Sequence, residues 1–139
     1  MMRCLTGFAL GLGLLAAGSA SAEYRPTGFQ TPSKNIFCQM FNLDGPPTLR
    51  CDMMEIDVRP RKPAGCDGDW GRGFEVTARG RAEPICRGDT MYDTSLPVLA
   101  YGDVWQRGGF TCRSEQTGLT CFNAMGRGFS LSRARQEVF

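Results

Sequence analysis

Six cysteines spread over residues 38–121, four of them set in runs that alternate apolar and polar residues, constrain this chain more than any other feature. In the stretch 110–133, Phe110 and Cys112, then Leu119 and Cys121, then Phe129 and Leu131 each stand two residues apart. Side chains two apart share one face of a strand, so the pattern predicts three short strands with a single apolar face. Residues 35–41 and 49–53 repeat the arrangement, with Ile36 and Leu49 each two positions ahead of Cys38 and Cys51. Phe37 and Phe41 give the earlier strand apolar side chains on its second face as well. Both hairpins are expected to share one core.

Sequential disulfides follow as the favoured pairing among several open ones, because each pair brackets a turn-rich segment: Cys38 with Cys51, Cys66 with Cys86, Cys112 with Cys121. A two-residue Asp44-Gly45 turn would set Cys38 opposite Cys51. Pro46, however, has no N–H to close that turn, so a wider loop is expected. Zinc ligation is a poor alternative for these cysteines, since there is no C-x-x-C pair and no histidine in the chain.

The oxidising compartment that disulfides need agrees with the N-terminus. Arg3 precedes an apolar run over residues 5–18 and the small residues Ala20-Ser21-Ala22, the pattern of a signal peptide cleaved before Glu23. Cys4 would leave with it, turning seven cysteines into an even six. No second apolar run follows, so no stable membrane anchor is expected. Residues 1–22 are thus read as a signal peptide and 23–139 as one disulfide-braced β domain, secreted or periplasmic.

Charge excludes some partners. With 16 Lys and Arg against 14 Asp and Glu, the chain lacks the basic field of a nucleic-acid binder. Along residues 23–34 no period is sustained, and residues 59–73 read as a long loop held by Cys66 and packed down by Trp70. Residues 74–78 and 81–86 form a second hairpin, 103–107 a strand turned by Gly108-Gly109, and 132–139 a turn or tail. The expected fold is all-β: a small antiparallel sandwich or barrel-like domain of roughly six to eight strands.

Four stretches taken together carry a resemblance: F-x-T-P-S-x-N-I-x-C at 29–38, C-x-G-D-T at 86–90, L-x-x-L-x-Y-G at 96–102, and G-F-T-C through G-F-S-L-S-R at 109–133. The chain resembles a family of small secreted bacterial proteins catalogued as a domain of unknown function. The resemblance implies export and a disulfide-braced β fold, and no activity. It also implies histidine where this chain has Arg127.

Candidate chemistry is sparse. Gly126, Arg127, Gly128, Ser130 and Arg133 form the candidate ligand-binding set, because consecutive amides of a glycine turn can cradle an anion and a guanidinium can complete the cradle. The plainer reading is that the glycines supply positive φ to a turn and Arg133 pairs with an acid. No catalytic residues, cofactor or metal site are expected. Without histidine, with only Lys34 and Lys62, and with cysteines oxidised, nucleophilic catalysis has little to draw on. Asp67, Asp69 and Asp89 remain as carboxylates for a glycan hydrolase. Arg87-Gly88-Asp89 spells an adhesion tripeptide, and is set aside as part of the C-x-G-D-T pattern. An aromatic platform of Tyr24, Tyr92, Tyr101, Trp70 and Trp105 would suit sugar rings, though such residues more often fill a small core. The leading functional expectation is a non-enzymatic binding module for an envelope polymer or an exported protein. An inhibitor or structural stabiliser of a secreted or periplasmic protein is the alternative, with the hydrolase third.

Overall fold

The computed structural model describes Gly18, residues 27–42 and residues 45–139. The signal-peptide reading of 1–22, apart from Gly18, falls outside the described residues, as do Tyr24 and Asp44.

Among the described residues ten strands form two antiparallel sheets, and the alternation of apolar residues decides which face of each is buried. The first sheet is a meander of β1 (Gly28–Gln30), β2 (Ile36–Phe41), β3 (Thr48–Met53), β4 (Asp69–Thr77) and β5 (Ala82–Arg87). The second is another meander of β6 (Val104–Arg107), β7 (Phe110–Glu115), β8 (Gly118–Asn123), β9 (Gly128–Leu131) and β10 (Gln136–Val138). They stack as a sandwich. Phe29, Ile36, Leu49, Met53, Phe74 and Val76 from the first sheet meet Phe110, Leu119, Phe129 and Leu131 from the second. Phe74 and Phe129 rings touch across the interface at 6.0 Å between centroids. Each fully buried side chain of this kind contributes about 1.5–3 kcal/mol.

All three sequential disulfides are present. Cys38 faces Cys51, and Cys112 faces Cys121, directly across neighbouring strands. The first pair braces one sheet and the second braces the other. Their sulfurs meet at the centre, those of Cys38, Cys51 and Cys121 lying within 4.8 Å of one another. The shared core expected of the two hairpins is this contact. The loop joining β2 to β3 is wider than two residues, in keeping with Pro46.

The strand count corrects the expectation of six to eight. β1 lies in the segment that showed no period, where three residues are too few to display one. β10 lies in the stretch expected to be a turn or tail, held by Phe139 and Gly128 exchanging backbone hydrogen bonds of 2.9 Å. β4 starts at Asp69, inside the expected loop, and a register irregularity between Asp69 and Gly73 hid its alternation.

A second layer covers the outer face of the first sheet. Residues 88–96 cross it, with Tyr92 on the buried Phe37 ring at 4.9 Å and Leu96 buried. Gln30 Nε2 anchors this crossing by donating to the Leu96 and Thr94 carbonyls at 2.6 and 3.1 Å. Phe37, read as an apolar residue on the strand's second face, is therefore fully covered.

Candidate functional site

The loops gather at two ends of the sandwich, and the candidate residues divide between them. At one end stand the turns 78–81, Gly108-Gly109 and 124–127, the first and last of them tied together by Asn123. This nearly buried amide donates to the Thr77 and Gly80 carbonyls, both at 2.9 Å. Its Oδ1 accepts from Met125 N at 2.9 Å and Arg127 N at 3.0 Å. Gly126 N donates to Asn123 O, and Gly128 N donates to Phe139 O. The amides imagined as an anion cradle are therefore already engaged. Gly128 is required for a different reason, since a Cβ there would collide with the Cys121 carbonyl. Arg127 is exposed and lines a shallow recess with Arg81, Glu83 and Phe139.

Arg133 lies at the other end. It pairs with Glu55 at 3.3 Å and Asp57 at 3.5 Å, and its carbonyl accepts from Asp57 N. Ser130 sits between the ends on the outward face of β9, with its hydroxyl 2.9 Å from that of Thr120. The five candidate residues are thus spread along β9 and are not gathered in one site.

A groove of about 380 Å³ occupies the Arg133 end. Ser33 comes from the β1–β2 loop, Asp57 from the segment after β3, Gln116 and Thr117 from the β7–β8 turn, and Arg133 from the β9–β10 turn. Tyr101 contributes an aromatic ring that is 44% exposed. A hydroxyl, an amide, carboxylates, a guanidinium and an exposed ring are the groups that bind a polar polymer. Past Gly118 a smaller recess continues over the outward face, lined by Thr120, Ser130, Arg135 and Glu137. The sequence singled out Arg133 and Ser130 here but not the groove, because its walls come from five separate connections.

Among the described residues, the other aromatics considered for a platform do not join Tyr101. Trp105 is half-buried against Phe29 at 5.3 Å, Tyr92 lies on Phe37, and Trp70 borders a recess with Arg59, Pro60 and Lys62.

A family model described as a family of unknown function (DUF6636) matches residues 9–139. The chain belongs to that family. No curated protein and no solved structure matches it. The DUF6636 match takes in every strand and both loop ends.

Of the acids considered for hydrolysis in this DUF6636 member, Asp67 and Asp89 are exposed, and Asp69 belongs to an ion network on the outer face of the first sheet. Asp69 Oδ2 accepts from Arg72 Nε at 2.9 Å and from Arg87 Nε at 2.8 Å. Asp52, fully buried, accepts from both Arg50 Nε and Nη2 and from Met91 N. Arg87 is 3% exposed, so the adhesion tripeptide does not display its arginine. Burial raises the Asp69 carboxyl, but the hydrogen bonds and charges of Arg72 and Arg87 outweigh it and hold the group below its ordinary value. A carboxyl depressed in the folded state stabilises above its unfolded pKa, and that stabilisation fades as pH falls through the folded one. From the ordinary value of 3.8 downward, the unfolding midpoint in urea is expected to fall more steeply for the parent than for Asp69→Asn. Parallel curves below pH 4 would show that the two guanidiniums do not bias this carboxyl.

Proposed function

We propose that this protein is an exported, non-enzymatic binding module of the cell envelope or exterior, and that it takes an envelope polymer in the groove at the Arg133 end. The observation that carries the reading is the convergence of five connections, one of them bearing the exposed Tyr101 ring, on one groove that combines apolar surface with Ser33, Asp57, Gln116 and Arg133. Three of the four stretches that carry the family resemblance supply its lining, through Thr31, Ser33, Asn35 and Ile36, through Tyr101, and through Leu131 to Arg133. Export draws support from the three disulfides and from the signal-like residues 1–22. The hydrolase alternative needs one carboxyl to act as general acid, and for Asp69, one of its three candidates, two arginines favour the ionised form.

The test is a pull-down from envelope extract with oxidised protein recovered from the exported fraction. That protein is expected to begin at Glu23, and a chain starting at Met1 removes the export reading. Capture by the parent should weaken by about tenfold in Tyr101→Ala, the loss of one stacked ring with its hydrogen bond. Arg133→Ala should weaken it as well, while Arg127→Ala, at the opposite end, should leave it unchanged. Capture that depends on Arg127 alone would move the site to the other end, and no capture at all would remove the binding reading.

A further inference from the structure

Each sheet of an open sandwich has two edges, and an edge strand left bare invites another chain to pair with it. Three of the four edges here are blunted among the described residues. β1 is covered by residues 97–99, through Gln30 N to Pro97 O and Leu99 N to Gln30 O, both 2.9 Å. β5 carries Pro84, which has no N–H, and is stapled by Cys66–Cys86. β10 is three residues long and carries Glu137, ion-paired with Arg135. β6 pairs with β7 on one side, and no described strand lies on the other.

The orientation of the free groups on β6 follows from the disulfide beside it. Cys112 and Cys121 face each other with Cα atoms 4.1 Å apart, the close spacing of a non-hydrogen-bonded pair. Cys112 therefore directs its N–H and C=O away from β8 and toward Trp105, its partner on β6. Trp105 points its own backbone groups inward to match. The neighbours Val104 and Gln106 consequently point theirs outward, into the open edge. Asp103 O accepts from Ser114 N at 3.1 Å, which continues the same alternation. The edge is exposed and mixed, with Val104 51% exposed between the exposed Asp103, Gln106 and Arg107 and, on the same flank beside β1, Val98 53% exposed.

We propose that β6 is the surface through which two copies of this chain associate, antiparallel, about a two-fold axis beside Trp105. The sequence Asp103-Val104-Trp105-Gln106-Arg107 is self-complementary in that register. Val104 meets Gln106 of the second copy as a hydrogen-bonded pair, twice, using the outward groups identified above. Trp105 meets Trp105, and Asp103 meets Arg107 at both ends, so each copy's acid faces the other's base. A register shifted by one residue would not bring the outward-pointing groups into opposition. The pairing joins the two second sheets into one continuous sheet and sets each Val104 against Gln106 of the other copy.

Sedimentation equilibrium of the purified, oxidised chain 23–139 across a range of concentrations tests this. A reversible dimer is expected. Gln106→Pro removes an N–H that β7 does not use, so the fold should survive by circular dichroism while the dimer is lost. Asp103→Arg places like charges opposite one another twice and should weaken association by about tenfold. Adding Arg107→Asp to it restores opposite charges and should restore the dimer. A parent that remains monomeric at its highest soluble concentration overturns the proposal, and so does a dimer that ignores Gln106→Pro and the charge reversals.

Discussion

Replacing Arg87 by alanine is expected to lower the unfolding free energy by about 3–5 kcal/mol, the range for removing one partner of a buried ion pair. The guanidinium is 3% exposed and lies between two acids. Its Nε donates to Asp69, and its Nη1 stands 3.3 Å from Asp52 Oδ2. Alanine leaves Asp52 with Arg50 alone in a site closed to water, and Asp69, which borders an open recess, with Arg72 and a distant Arg59 at 3.9 Å. Asp52 also accepts from Met91 N, and Arg50 Nη2 donates to the Asp89 carbonyl at 2.6 Å, so the crossing over the outer face is tied to the same charges. Loss should therefore reach beyond the pair. Met91 N–H should exchange faster with deuterium, and Tyr92 should part from Phe37. Arg87→Lys retains the charge but has no planar fork to span two carboxylates, so it should fall between parent and alanine. Urea unfolding of the oxidised proteins measures all three. A loss under about 1 kcal/mol, the level of an exposed ion pair, would mean that the network does not hold the crossing.

That network was invisible in the sequence for a physical reason. Arg50, Asp52, Asp69, Arg72 and Arg87 come from three strands, and nothing in their spacing says that residues 88–96 cover them. Charged residues on the outward positions of a strand read as solvated, and here Asp52 is as buried as Cys51. The apolar side chains were easier. Phe110, Cys112, Leu119, Cys121, Phe129 and Leu131 keep strict parity, and a one-residue slip would turn every one of them outward, so their strands and register could be read directly. Strands of three residues, such as β1 and β10, are shorter than the period needed to reveal them. The groove at the Arg133 end has the same difficulty as the ion network. Ser33, Tyr101, Gln116 and Arg133 are near only after both sheets have formed. Glycine at 126 and 128 suggested an anion turn, and the residue that decided the matter was Asn123, whose side chain engages the Met125 and Arg127 amides.

The two cross-strand disulfides should behave as one unit and the third as another. Cys38, Cys51, Cys112 and Cys121 are wholly buried, whereas Cys86 is exposed and Cys66 half-buried. Thiol–disulfide exchange needs an attacking thiolate to reach a sulfur, so mild reductant in native buffer should open Cys66–Cys86 first. Alkylation followed by peptide mass spectrometry should then find label on Cys66 and Cys86, and on the core four only as fast as the whole domain unfolds. Removing either core bridge, by Cys38→Ala with Cys51→Ala or by Cys112→Ala with Cys121→Ala, should cost about 2–5 kcal/mol. Part of that loss comes from freeing the unfolded chain, and part from the void left against the neighbouring bridge, whose sulfurs pack on the ones removed. Because the voids adjoin, the four-residue variant should depart from the sum of the two pairs, as contacting sites do. Removing Cys66 and Cys86 loosens residues 57–68 from β5 but leaves both faces of the core intact, so its effect should be the smallest. Equal labelling of all six cysteines under native conditions would contradict this order, since it would mean that the centre of the sandwich opens as readily as its rim.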